Sequence, residues 1–207
     1  MTEPQWLLWS RQLMALAQNG LSYTSNPFDI DRYQSVRKIA AAILAEHTRA
    51  DQQRIEDLFA REVGYATPKV DVRGVVFRDE ALLLVKEHED GLWTLPGGWA
   101  DVNESPGEAV VREVFEESGY RTRATKLLAV FDRSKHPHLP LMPFHIYKHF
   151  IRCQWLGGEP TVSNETDAVG FFREGQLPEL SHSRTTPAQI ARMFEHLRQP
   201  ELPTDFD

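Results

Sequence analysis

The chain has one cysteine, Cys153, in 207 residues. No intrachain disulfide can form, which points to a reducing compartment. Cys153 lies in an apolar, strand-like run and reads as a buried structural thiol rather than a nucleophile. Positive charge is also scarce: 23 Lys and Arg stand against 30 Asp and Glu, a formal net charge of −7. That balance argues against a general binder of nucleic acid or of anionic membrane surfaces. No apolar run reaches the roughly 18 residues of a membrane-spanning helix, and the N-terminus lacks the pattern of a secretory signal. The expected setting is cytoplasmic, with no membrane and no stable nucleic-acid partner. Internal repeats and low-complexity tracts are absent. The histidines lack cysteine partners at close helical spacing, so zinc is not favoured. What the chain does have is a hydrophobic fraction of 41%, enough for a packed core.

The texture of the sequence changes once. Residues 1–64 read as three helices forming a small all-helical N-terminal domain. The first carries Trp6, Leu7, Leu8, Trp9, Leu13, Leu16 and Ala17 and is expected to end at Asn19-Gly20. The second starts at about Asp31, with Val36, Ile39, Ala40, Ile43 and Leu44 on one side. The third carries Ile55, Leu58, Phe59 and Val63 and stops at Gly64. Trp6 and Trp9 are costly to leave in water, so they are expected between helices or at an interface, which suggests a homodimer through this domain. Residues 65–68, Tyr-Ala-Thr-Pro, read as a linker, and residues 69–207 as a second domain rich in strands. Val70–Phe77 and Ala81–Val85 flank the Asp79-Glu80 turn as a hairpin. Ala124–Phe131, Phe144–Trp155 and Ala168–Phe172 are further strands. Thr186 and Pro187 open a last helix, and Pro200 and Pro203 leave a short tail. The expectation is an α+β fold in which helices pack on a mixed sheet.

Between these strands runs the chemically distinctive stretch GGWADVNESPGEAVVREVFEESGY, residues 97–120. Ser105, Pro106 and Glu108 form a capping box with proline at the first helical position. Gly119 suits the left-handed residue that closes a helix. The helix should span about residues 106–118. Glu113, Glu116 and Glu117 then fall within an arc of about 100°, while Val110, Val111, Val114 and Phe115 should face a core. Carboxylates at this spacing repel by a few tenths of a kcal/mol per pair. A divalent cation that prefers oxygen ligands would offset that repulsion.

The stretch resembles the Nudix box, G-x5-E-x7-R-E-U-x-E-E-x-G-U with U apolar. Gly98, Glu104, Arg112, Glu113, Val114, Glu116, Glu117, Gly119 and Tyr120 stand at its fixed positions, Tyr120 being an aromatic where an aliphatic residue is commoner. The resemblance implies the Nudix α/β/α sandwich over residues 69–207. It also implies hydrolysis of a pyrophosphate bond by metal-bound water, with Mg²⁺ as cofactor and Mn²⁺ as substitute. Glu113, Glu116 and Glu117 would hold the metal, joined by the backbone carbonyl of Gly97. Arg112 would orient one carboxylate, and Glu104 would support the loop or stand as an outer contact of the metal; Gly98 and Gly119 are structural. The general base is either Glu165, on the loop before the last strand, or Glu117. Arg133 and His136 could meet the diphosphate or its leaving moiety, and Trp99 could either stack on a base or ribose or belong to the core.

The helical N-terminal module, the run Trp93–Asp101, Asp132-Arg133 with His136, and Glu165-Thr166-Asp167 together are similar to a subfamily acting on nucleoside diphosphates linked to another moiety. CDP-choline, giving CMP and phosphocholine, is favoured there over ADP-ribose, giving AMP and ribose 5-phosphate. A non-catalytic, ligand-sensing Nudix-like regulator is the reading of another class. Its box would be expected to lose carboxylates, and here all are present. An enzyme clearing oxidised nucleotides has no need of the extra domain.

Overall fold

A computed structural model describes residues 3–207. These divide into two compact units, residues 3–68 with 142–145, and residues 69–141 with 146–207.

The first unit is built on helices α1 (Gln5–Tyr23), α2 (Pro27–Thr48) and α3 (Gln52–Arg61). α1 and α2 pack through small residues. The Ser10 hydroxyl donates to the Ala40 carbonyl at 2.8 Å, and Ala17, Ala40 and Ala41 have no exposed surface. Gly20 does not end α1 as expected. A Cβ there would lie 2.3 Å from the Tyr33 ring, so this glycine is a point of close helix approach and the helix runs on to Tyr23. α2 likewise begins earlier than Asp31, because the Asn26 side chain caps it by accepting from the Phe28 amide and Pro27 takes the first position. Trp6 stacks on His47 with ring centroids 4.6 Å apart, whereas Trp9, Leu16, Ile39 and Val63 are exposed.

The second unit is a seven-stranded mixed sheet with a helix on each face. In order its strands are β3 (Trp93–Thr94), β2 (Ala81–Glu87), β1 (Lys69–Arg78), β5 (Ile146–Gly158), β4 (Tyr120–Asp132) and β7 (Asp205–Phe206), with β6 (Thr166–Phe172) pairing β2. Helix α4 (Pro106–Ser118) covers one face, packing Ala109, Val110 and Val114 on Val72, Val76 and Ile151. Helix α5 (Pro187–Arg198) covers the other, with Ile190, Met193 and Phe194 on Val75, Leu84 and Phe150. Phe115, expected in the core, is exposed, since its place on the turn of α4 carries it off the sheet. Cys153 is buried, and burial pushes its thiol up to about 12.

One departure from sheet regularity positions everything that follows. β1 pairs β5 in parallel from Lys69 to Val76, but meets β2 only at Phe77 and Arg78. Beyond that point β2 leaves β1 and meets β3 at Val85 and Lys86, while its other edge pairs with β6 from Leu82 to Glu87. The edge of β1 thus vacated is taken by the segment after β3: Gly74 N donates to Pro96 O and Val72 N to Gly98 O, both at 2.8 Å, and Ala100 N to Val70 O at 3.1 Å. Two smaller differences from the expected elements complete the unit. β5 runs past the expected end at Trp155, with Gly157 and Gly158 pairing with Arg121 and Tyr120. The tail is ordered: β7 lies parallel to β4, and the Lys126 ammonium donates to the carbonyls of Pro200 and Leu202.

Candidate active site

The site forms where α4 and the Leu95–Gly98 segment meet. α4 starts at the capping box, Ser105 Oγ accepting from Glu108 N and Glu108 Oε2 from Ser105 N, and closes at Gly119 with φ 74°. These two ends fix the rotation of the helix and therefore the direction of its glutamates.

Glu117 points inward. It is 4% exposed, and its Oε2 accepts from the Gly97 amide at 2.9 Å. Burial pushes its carboxyl up to about 8, against the opposing pull of Arg73 and the Gly97 N–H; Glu87 and Glu113 raise it further. Burial also raises Glu113, while Arg112 opposes it. Gly97, at φ 141°, could not be another residue, because a Cβ would sit 2.0 Å from the Val72 carbonyl oxygen. A Cβ on Gly98 would lie 3.1 Å from both carboxylate oxygens of Glu113, so the two glycines leave the space that the acidic side chains border.

Arg112 gathers the outer carboxylates. Nε and Nη2 form a fork on Glu104 at 2.9 Å each, and Nη1 donates to Glu113 and Glu116, also at 2.9 Å. Of the four glutamates between Gly98 and Gly119 predicted for the site, three are therefore tied to one guanidinium, and the fourth, Glu117, to a backbone amide. Among the described residues, no three acidic, histidine or cysteine side chains stand close enough together to hold an ion as they are placed.

Glu165 is exposed, but its loop is joined to the end of α4. The Thr166 hydroxyl donates to the Glu117 carbonyl at 2.9 Å, and His88 N to Glu165 O at 2.8 Å. Trp99 bridges Asp71 and leaves its side chain half exposed, so it is not a core residue. Arg133 is 6% exposed, and its Nη2 donates to the carbonyl of Pro140 at 2.8 Å. His136 is tilted against Phe131 with centroids 4.5 Å apart, its Nε2 3.1 Å from Asp207 Oδ1.

Sequence reasoning missed four buried charged groups. Asp71 of β1 binds Arg73 through two bonds, at 2.9 and 2.7 Å, and Lys148 of β5 at 2.7 Å. These cations hold the Asp71 carboxyl down at about 2 despite its burial. Burial lowers Lys148 to about 7. The fourth is Glu87, buried with Arg184 3.1 Å from its Oε1. The alternation Val70-Asp71-Val72-Arg73 looks like a strand with one wet face. Had both faces been assigned a covering helix, these charges would have stood out as buried.

Two family models match the chain: a UDP-X-like, N-terminal oligomerisation domain over residues 4–59 and a NUDIX domain over residues 67–195. A putative ADP-ribose pyrophosphatase of Bacillus subtilis is 44% identical over 205 residues, covering 99% of this chain and 98% of that one. The crystal structure of an ADP-ribose pyrophosphatase from Streptococcus suis is 42% identical with a TM-score of 0.62, covering 68% of this chain and all of that one. The crystal structure of a UDP-X diphosphatase is 30% identical with a TM-score of 0.64, and the match covers both chains in full.

Proposed function

This chain belongs to the Nudix hydrolase family, and on that premise we propose that it splits the pyrophosphate bond of a nucleoside diphosphate linked to a second moiety, with ADP-ribose as the leading substrate. The observation that carries the reading is the set of glutamates on α4 facing the Gly97-Gly98 turn. The donors there are all oxygens, which suits a hard divalent cation. Glu117 is buried and accepts from the Gly97 backbone amide, and an added positive charge would offset its burial. Glu113, Glu116, Glu117 and the Gly97 carbonyl would hold Mg²⁺, or Mn²⁺ in its place. Such an ion, when bound, neutralises phosphate charge and lowers the pKa of the attacking water.

The chain's own residues divide the remaining work. Arg112 keeps Glu104, Glu113 and Glu116 within one fork and orients them. Glu165 is the general base in this reading: it is exposed, whereas Glu117 is buried and committed to the Gly97 amide. Trp99 offers a ring face for a base or ribose. His136 meets the linked moiety, and Arg133 shapes that loop through the Pro140 carbonyl.

ADP-ribose is placed ahead of CDP-choline because two relatives, one aligned along nearly the whole chain, carry that activity in their names. Nothing in the residues selects choline. The N-terminal helices, matching an oligomerisation domain and exposing Trp9, Leu16 and Ile39, support a homodimer. Light scattering should give twice the mass of 23.8 kDa; a monomer at micromolar concentration would exclude it.

A panel of ADP-ribose, CDP-choline, a UDP-linked sugar and 8-oxo-dGTP, assayed with Mg²⁺ by phosphatase-coupled phosphate release, tests the activity. ADP-ribose should give the highest kcat/KM, and Glu117→Gln should lower it by orders of magnitude. Silence across the panel with both Mg²⁺ and Mn²⁺ would leave the ligand-sensing alternative.

A further inference from the structure

Three bonds hold the Leu95–Gly98 segment to β1 between Val72 and Gly74. Two are backbone to backbone, Val72 N to Gly98 O and Gly74 N to Pro96 O, and any sequence could make them. The third depends on a side chain: Arg73 Nη1 donates to the Leu95 carbonyl at 3.2 Å. Arg73 is 4% exposed and cannot swing away, since Nε and Nη2 are fixed on the two oxygens of Asp71. Asp71 is anchored in turn by Lys148, its register partner on β5. Two residues beyond Leu95, the Gly97 amide donates to Glu117. The charge of Arg73 also reaches Glu87, Glu113 and Glu117, one from β2 and two from α4.

We propose that Arg73 is a positioning residue for hydrolysis, locking the Leu95–Gly98 turn against β1 so that Gly97 and Glu117 keep the geometry needed to hold a divalent cation. The proposal rests on the metal-site reading above. Lysine cannot replace arginine in this role, because an ammonium keeps the charge but cannot span the Asp71 carboxylate and the Leu95 carbonyl with fixed donors. Partners that orient metal ligands typically change metal affinity or activity by 10–100-fold when lost.

The test uses the full chain with Arg73→Lys, and Asp71→Asn as the second variant, which keeps Arg73 but loosens its fork. Three quantities are read: hydrogen exchange of the peptide over residues 92–100 against that of α5, Mn²⁺ affinity by electron paramagnetic resonance without substrate, and kcat and KM separately. Exchange in residues 92–100 should rise about tenfold with α5 unchanged. Mn²⁺ affinity should fall about tenfold or more, and kcat should fall with KM within about threefold. A folded variant whose exchange and Mn²⁺ affinity stay within about twofold of the native chain overturns the proposal. An equal rise in exchange throughout the unit also overturns it, since that marks a purely structural role. If the native chain and Glu117→Gln bind Mn²⁺ alike, the metal-site reading itself falls and takes the proposal with it.

Discussion

The same substitution, glycine to alanine, should have opposite effects at two positions ten residues apart. At Gly97, a Cβ would stand 2.0 Å from the Val72 carbonyl oxygen and 2.9 Å from Arg73 Cα, both atoms of a central strand. Neither can yield, so the turn must retreat by an ångström or more. Retreat strains or breaks the bonds of Pro96 and Gly98 to β1 and withdraws the Gly97 amide from Glu117. Backbone strain in that φ region costs about 1–3 kcal/mol. Each buried group left unsatisfied costs about 1–3 kcal/mol more. With one such group, the sum for Gly97→Ala is roughly 2–6 kcal/mol. At Gly107, inside α4, the nearest atom to an added Cβ is the Ala124 Cβ at 3.6 Å, an ordinary contact. Gly107→Ala should therefore stabilise by roughly 0.5 kcal/mol through helix propensity alone. With a urea slope of about 2 kcal/mol/M, Gly97→Ala should move the unfolding midpoint down by about 2 M and Gly107→Ala slightly up. Tryptophan fluorescence reports the transition, since Trp93 and Trp99 flank the turn. A Gly97→Ala midpoint within about 0.5 M of native would refute the claim that β1 fixes this turn.

Three further outcomes follow from the same contacts. His138 is held neutral: its Nδ1 donates to the His182 carbonyl, and its Nε2 faces the amide nitrogen of Gln189. The Gln189 oxygen is already taken by the Thr186 amide, so a second imidazole proton has no acceptor there. Burial lowers this group to about 3, below its ordinary 6.5, so the unfolded chain protonates first. Its contribution is complete above pH 6.5 and lost on acidification toward 3, amounting to about 2 kcal/mol by pH 5. Urea midpoints from pH 7.5 to 5 should show this slope, and His138→Gln should flatten it. Glu117 has the opposite sign: raised to about 8, it opposes folding as pH climbs from 4.5 through 8. Without divalent ions, Glu117→Gln should therefore unfold at a higher temperature than the native chain, with a gap widening from pH 5 to 8; a lower temperature at pH 8 would contradict the burial argument. Gly20→Ala should destabilise the helical unit by about 1–3 kcal/mol through overpacking on Tyr33, despite the gain in helix propensity. If the dimer runs through these helices, its dissociation constant should rise as well, measurable by analytical ultracentrifugation.

Local chemistry was legible in the sequence where it is set by a few neighbouring residues. The capping box at Ser105, the close at Gly119 and the hairpin at Asp79-Glu80 are all decided within four or five residues. Packing at a distance was not. Gly20 reads as a helix end because its real reason, the Tyr33 ring, lies on another helix. Phe115 and Ile39 satisfy helical periodicity but lie exposed on their helices. In the site, the glutamates and Arg112 could be placed by helical spacing alone. The Asp71–Arg73–Lys148 network could not, because it joins β1 to β5 across 77 residues of sequence and depends on α5 covering that face. The splay of β2 from β1, which opens the seat for the Leu95–Gly98 turn, leaves no local signal either.

The tail laid along β4 acts as a shield. A sheet ends in a row of unpaired amides and carbonyls, and such a row invites a strand from another molecule. Here Asp205 and Phe206 pair with Ala129 and Val130, Thr204 Oγ1 donates to the Leu127 carbonyl, and Asp207 accepts from the Asp132 amide. Arg192 and His196 of α5 pin Asp205 from the core side. A chain cut before Pro200, or carrying a bulky fusion that pulls the tail away, would bare the outer edge of β4. Its first fault would then be self-association and precipitation, ahead of any loss at the glutamates.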